Sequence, residues 1–287
     1  MPDYELLDSG DSAKLERFGD VVLARPSPQA LWTPRDRACW SQAVARFDRD
    51  EDGRGSWDPA PPRPAGWKIA CGGLKLWIKP TSFGHLGLFP EQIAFWNALR
   101  GVCRPGMELL NLFAYTGGSS LAAASAGAAV THLDAAKGIV DWARENADAS
   151  DLGSAPIRWI VDDALKFVQR EERRGHRYHG VVLDPPSFGR GSKGQVFKLE
   201  RDLPKLLHAC VQILHDDAAF VLLSGHTPGV GGLALCNLLA DALEDRAGAW
   251  RHGEMITPGL QRNLPSGVWS VWTRSADDAA YFPGPGL

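Results

Sequence analysis

The stretch MELLNLFAYTGGSSLAAASAGAAVTHLD, residues 107–134, decides the fold. It opens on an apolar run, MELLNL (107–112), followed by the loop FAYTGG. SSLAAASAG then reads as a helix, with serines available to cap its start and Gly127 to stop it. AVTHLD (129–134) is a second strand, and it ends in an acid. Apolar strands alternating with helices build a parallel sheet covered on both faces.

The same rhythm continues downstream. AAKGIVDWARENADAS reads as a helix from residue 136, with Ile139, Val140, Ala143 and Ala147 on one side. IRWIVDD (157–163), GVVLD (180–184) and AAFVLLSG (218–225) are further strands, separated by the helices LKFVQREERRG and LPKLLHACVQIL. After the helix NLLADALEDRA, the strands HGEMITP and GVWSVWTR have only a loop between them, which predicts an antiparallel hairpin. The expected fold is α/β: a Rossmann-like, seven-stranded, doubly wound sheet with an antiparallel C-terminal hairpin.

Upstream, residues 1–85 read as a small β-rich region, with 86–287 as the main domain. YELLDSG and RFGDVVLARP flank a turn, SGDSAK, as one hairpin. DRDEDGRGSWDPAPPRPAG reads as a surface loop, and GWKIAC and LKLWIKP as strands.

The 287 residues are 44% apolar and 23% charged, an ordinary globular balance. No apolar run approaches the roughly 20 residues of a membrane span, and MPDYELLDSG lacks a signal-peptide core. The five scattered cysteines fit thiols in a reducing cytoplasm. His85, His132, His208 and His226 show no metal spacing, so no metal is expected. The net charge of −3 excludes a strongly basic coat, yet residues 166–205 carry 10 Lys/Arg against 5 Asp/Glu.

Ligands of doubly wound sheets bind beyond the carboxyl ends of the strands. Five strands here end in polar or glycine-rich groups: Asn111 with Gly117 and Gly118, Asp134, Asp162 with Asp163, Asp184 with two prolines, and Ser224 with Gly225. The glycine loop lets backbone approach a ligand, and the helix behind it offers N–H groups to an anion. Asp134 suits the two hydroxyls of a ribose, and Asp163 an adenine amine; both also suit helix caps. A nicotinamide dinucleotide and S-adenosylmethionine would each fit such ends. The loop lacks the spaced glycines of a pyrophosphate fingerprint, which favours S-adenosylmethionine.

DPPSFGRGSK (184–193) has another character. Pro185 and Pro186 donate no N–H, so with Asp184 they make a stiff ledge of acceptors. Such a ledge can hold an amine or ring N–H, Phe188 can stack on a flipped-out base, and Arg190, Lys193 and Lys198 can meet phosphates.

These motifs together resemble class I S-adenosylmethionine-dependent methyltransferases. They are most similar to the bacterial large-subunit ribosomal RNA methyltransferases, which have cytosine-C5 and guanine-N7 branches. The resemblance covers roughly residues 81–274 and rests on GHLGLFPEQ (84–92), LLNLFAYTGGSS, VTHLDAA, VDDALKF and LDPPSFGRGSK. It implies that Phe89, Gln92, Ala114, Tyr115, Gly117, Asp134 and Asp163 surround the cofactor, with Asp184 near the transferring methyl. The adjoining strand-end residues Asn111, Thr116, Gly118, Ala135, Asp162 and Ala164, together with Asp184 itself, complete the candidate cofactor set, and Asp184, Pro185 and Phe188 form the catalytic one. The implied substrate is a base in ribosomal RNA. The C5 branch carries a cysteine just after the fifth strand, where LLSGHTPG places Thr227, so the expected acceptor is a nitrogen. That branch also has an N-terminal RNA-binding barrel, which residues 1–85 do not reproduce. Small-molecule or protein methylation, and noncatalytic RNA binding, remain alternatives.

Overall fold

The computed structural model describes residues 3–49, 55–63, 65–190, 196–244 and 246–284, with backbone alone at Arg190. The chain forms two units: Met1–Ile93 with Ile256–Ser266, and Ala94–Met255 with Gly267–Leu287.

The first unit holds strands β1 (Tyr4–Gly10), β2 (Ala13–Phe18), β3 (Val21–Pro26), β4 (Ala45–Arg49) and β5 (Gly55–Asp58) in one sheet. A separate hairpin pairs β6 (Trp67–Cys71) with β7 (Leu74–Ile78). The expected single hairpin at the start is a three-stranded meander. The turn is only Asp11 and Ser12, both at positive φ, and Ala13–Phe18 pairs on both sides. The sequence conceals β2 because its charge faces inward. Glu16 is fully buried, bonded by Arg25 at 2.6 and 2.7 Å, Tyr4 Oη at 3.0 Å and Lys14 Nζ at 3.2 Å. A buried ion survives only with such partners. The region read as a surface loop also contains β5, whose Trp57 meets the buried Phe47 of β4 edge-on at 5.2 Å.

The second unit begins with α1 (Ile93–Val102), β8 (Glu108–Leu112), α2 (Gly118–Ser125), β9 (Ala129–Asp134), α3 (Lys137–Ala149), β10 (Ile157–Val161) and α4 (Ala164–Arg173). It continues with β11 (Gly180–Leu183), β12 (Phe188–Arg190), β13 (Val196–Lys198), α5 (Leu199–Gln212) and β14 (Phe220–Gly225). It closes with α6 (Gly232–Leu243), β15 (Ala249–Thr257) up to Met255, β16 (Leu264–Thr273) from Gly267, and α7 (Ala276–Ala280). The seven-stranded sheet has the order β10-β9-β8-β11-β14-β16-β15. The first five strands are parallel, and β16 runs antiparallel to β14.

Strands buried on both faces explain the continuous apolar runs: every residue of β11 and β14 is buried. Phe167, Val168, Leu203, Leu207, Leu235 and Leu239 from α4, α5 and α6 cluster on Leu110, Leu112, Val181, Leu183 and Leu223. Gly180 must lack a side chain, since a Cβ there would lie 2.7 Å from the Phe220 ring.

Two local expectations change. The helix α2 is not capped by serine: Gly117, at φ 94°, is its N-cap, and Ser120 is buried in other bonds. Gly127, at φ 91°, does end it. The glycine-rich segment after Asp184 is not all loop, because β12 and β13 form an antiparallel ribbon.

Candidate functional site

The strand order reverses between β8 and β11, so the sheet opens a crevice at their carboxyl ends. The loop after β8 (113–117) and the segment after β11 (184–187) leave side by side, because Leu112 pairs with Leu183.

On the β8 side, a loop of unusual backbone is held from below. Phe113, Tyr115 and Gly117 all have positive φ, at 55°, 49° and 94°. Ala114 N donates to Leu133 O at 3.0 Å, and the fully buried Asn146 donates to Thr116 O at 2.9 Å. Gly118 is required by packing, since a Cβ would fall 2.1 Å from the Trp96 ring. Asn111, a predicted cofactor residue, is 3% exposed and donates to Ser120 Oγ at 2.9 Å. Ser120 in turn meets His132 Nδ1 at 2.9 Å. This chain fixes α2 on β8 and β9. Burial pushes His132 down to about 3, with Arg144 adding to the effect, so its ring is neutral.

Asp134 at the end of β9 closes the loop. Its Oδ2 accepts from Tyr115 N at 3.1 Å and its Oδ1 from Ala136 N at 3.0 Å. It does not cap α3, whose N-cap is Ala136. Burial raises its pKa above the usual aspartate value, opposed by the N–H groups of Ala136, Tyr115 and Ala135. Beyond β10, Asp162 accepts from Asp163 N at 2.8 Å and pairs with Arg170. Asp163 caps α4 through Oδ1, which accepts from Lys166 N at 3.0 Å. Ala164 is buried at the start of that helix, while Val161 beside it is 46% exposed.

On the β11 side, Asp184 Oδ1 accepts from Ser224 Oγ at 2.8 Å and lies 3.6 Å from His226 Nδ1. Pro185 is buried and Pro186 exposed. Ser187 Oγ meets Thr227 Oγ1 at 2.7 Å, and Ser187 O accepts from Leu199 N at 3.1 Å, so the base of the ribbon is clamped at both ends. Phe188 is 51% exposed and sits opposite Lys198. Phe197, from the return strand, packs on Phe113 at 5.3 Å, which ties the ribbon to the glycine loop. Lys193 and the Arg190 side chain lie outside the described residues. Part of the local positive charge is neutralised: Arg170, Arg174 and Arg201 pair with Asp162, Glu171 and Asp202.

The structure therefore gathers Ala114 to Gly118, Asp134, Ala135 and Asp184 to Phe188 at the edge where the strand order reverses. Phe89 and Gln92 belong to the other unit, where Phe89 is half-buried against His85 and Gln92 is buried. Sequence reading missed His226, whose only signal is its place two residues beyond the Ser224 strand end. It also missed a group at the opposite, amino edge. His179, His215 and Asp217 bring potential ligand atoms within 4.8 Å of one another. His179 Nδ1 accepts the Glu108 N–H at 3.0 Å, which leaves the proton of the neutral ring on Nε2, the atom a metal would need.

No helix among the described residues is long and apolar enough to cross a membrane. A family model described as S-adenosylmethionine-dependent methyltransferase matches residues 45–235. Ribosomal RNA large subunit methyltransferase K of Neisseria meningitidis serogroup B is 27% identical over 218 residues, which are 72% of this chain and 61% of that protein. The chain thus spans about three fifths of that curated relative's length. A solved S-adenosylmethionine-dependent methyltransferase from Agrobacterium tumefaciens is 40% identical, covers 95% of this chain and 90% of its own, and superposes with a TM-score of 0.87. The structure of SMU.776, a methyltransferase complexed with SAH, shares the fold at 21% identity and a TM-score of 0.72, over 95% of this chain and 76% of its own.

Proposed function

Because the chain belongs to the S-adenosylmethionine-dependent methyltransferase family, we propose that it methylates a nitrogen of a base in RNA, with ribosomal RNA as the substrate. The methyl donor, S-adenosylmethionine, supplies an electrophilic methyl on sulfonium. The observation that carries this reading is the anchored Asp134 carboxylate on one side of the crevice and the Asp184 ledge on the other.

In this reading Asp134 accepts the ribose hydroxyls, and the first amides of α2, from Gly118 onward, face the methionine carboxylate. Asp163 Oδ2, which makes no protein hydrogen bond among the described residues, accepts from the adenine amine. Ala135, Val161 and Ala164 line the adenine on its apolar side. Asp184, held by Ser224, and the Pro185 carbonyl orient the acceptor nitrogen in line with the methyl–sulfur bond. Phe188 stacks on the base, and Lys198, with Arg190 and Lys193, meets phosphates.

A nitrogen acceptor is supported by the thiols. C5 methylation of cytosine needs a thiolate nucleophile. Burial raises Cys71 and Cys103 to about 12 and Cys210 higher still, and Cys39 is raised by burial and nearby acids. Cys236 lies within α6, and the Thr227 hydroxyl is engaged with Ser187. The family's named relative acts on ribosomal RNA, which supports that substrate.

The test is mass spectrometry of nucleosides from ribosomal RNA with and without the gene. The expected result is one methylated nucleoside that disappears on deletion and returns when purified protein and S-adenosylmethionine are added. An unchanged nucleoside profile would reject RNA as the substrate.

A further inference from the structure

His226 follows the last residue of β14, at the carboxyl edge of the sheet. Its Nδ1 lies 3.6 Å from Asp184 Oδ1, the oxygen that accepts from Ser224 Oγ at 2.8 Å. The imidazole has a built seat. A Cβ on Gly267 of β16, at φ 149°, would lie 3.1 Å from His226 Cδ2 and 2.8 Å from Gly225 O, and would strike the Met255 methyl of β15. Glycine there leaves room for the ring. The next residue is pinned, because Thr227 Oγ1 meets Ser187 Oγ at 2.7 Å. The His226 side chain is 34% exposed, so solvent reaches it.

A separation of 3.6 Å is longer than a hydrogen bond. A carboxylate oxygen facing the bare Nδ1 of a neutral ring accounts for that gap: two lone pairs with no proton between them. A proton arriving on Asp184 would close it, and catalytic hydrogen bonds are commonly long until substrate is bound. Basicity divides the work between the two groups. A carboxylate orients an acceptor N–H, but an imidazole is more basic by roughly 2–3 pKa units and holds a proton nearer neutral pH. From β11 the ring faces Asp184; Gly267 from β16 and Met255 from β15 do not titrate.

We propose that His226 is a positioning residue that takes, through Asp184, the proton released by the acceptor nitrogen, and that the acceptor is an exocyclic amine of the base, since a ring nitrogen without hydrogen releases none. This rests on the reading of a base in RNA as the substrate. The amine nitrogen forms its bond to the methyl carbon as the carbon–sulfur bond breaks, and the electron pair of that bond stays on sulfur. The nitrogen then carries a surplus proton, which passes to Asp184 and on to His226 Nδ1. The imidazolium gives it to solvent.

The experiment follows single-turnover methylation of ribosomal RNA from a strain lacking the gene, at saturating S-adenosylmethionine, from about pH 5 to 8. The wild-type rate is expected to rise with pH through the imidazole range and then level. His226→Ala is expected to be about 100-fold slower at the plateau, to lack that rise, and to regain rate when imidazole is added. A ring that only packed against Gly267 would give neither the rise nor the rescue. The RNA concentration for half-maximal rate and the calorimetric affinity for S-adenosylmethionine should match wild type, which reports that the variant is folded. The product nucleoside should carry its methyl on an exocyclic amine. A wild-type rate in His226→Ala, or a slow variant that keeps the rise and ignores imidazole, would overturn the proton role while leaving RNA as the substrate. So would a product methylated on a ring nitrogen. No transfer to RNA by the wild type, with S-adenosylmethionine still bound, would overturn the reading of RNA itself.

Discussion

The two sides of the crevice are built differently. On the β8–β9 side the carboxylate of Asp134 is gripped by backbone N–H groups, and the loop it faces is held by the main chain of Leu133 and by the buried Asn146. On the β11–β14 side the contacts run between side chains: Ser224 to Asp184, Ser187 to Thr227, Phe197 to Phe113. Backbone-held groups change little with sequence, which suits a ligand common to a whole family. Side-chain contacts on a ribbon with an exposed Phe188 can be rebuilt by substitution, which suits a substrate particular to one enzyme.

The comparison can be broken most sharply at Asp184. Asp184→Ala is expected to slow methyl transfer about 100-fold or more through misplacement of the acceptor. A single-turnover assay with labelled donor measures it, and an unchanged rate would remove Asp184 from the acceptor side. On the other side, pH sharpens the picture. Burial raises the pKa of Asp134, so the carboxylate protonates at a pH above the usual aspartate range, and donor affinity is lost as pH falls through that raised value. Calorimetry on Asp134→Asn should lack this dependence, and a variant that retains it would assign the titration elsewhere.

Smaller effects follow from packing. Gly118→Ala drives a Cβ into the Trp96 ring and is expected to lower stability by about 1–3 kcal/mol in a urea melt. A variant as stable as the wild type would show that α2 can shift. His132 titrates far below its unfolded value, so its contribution to stability is complete above about pH 6.5 and declines as pH falls toward about 3. His132→Gln should flatten that part of the stability profile, and an unchanged slope would point to other groups. The smallest effect belongs to Phe188→Ala, at about 1 kcal/mol in RNA affinity, the low end for one stacked base.

The second unit was legible because its strands are unbroken apolar runs, each closed by a polar or glycine-rich end. Asp134, Asp184 and the Gly117 turn could be read from those ends alone. The ribbon of β12 and β13 could not, because glycine and lysine around it carry no strand pattern. The strand β2 was hidden for the opposite reason: its first residues, Ala13 and Lys14, read as part of the turn, and the Glu16 that follows is tolerable in the core only with its Arg25, Tyr4 and Lys14 partners. His226 was invisible because its relation to Asp184 crosses two strands and 42 positions.

The division of the crevice is tested most directly by titrating S-adenosylmethionine calorimetrically into wild type, Asp134→Ala and Asp184→Ala side by side. Loss of the charged acceptor in Asp134→Ala should weaken binding at least about tenfold, whereas Asp184→Ala should stay within about threefold of wild type. Wild-type affinity in Asp134→Ala, or an equal loss in both variants, would contradict a crevice with a cofactor side and an acceptor side.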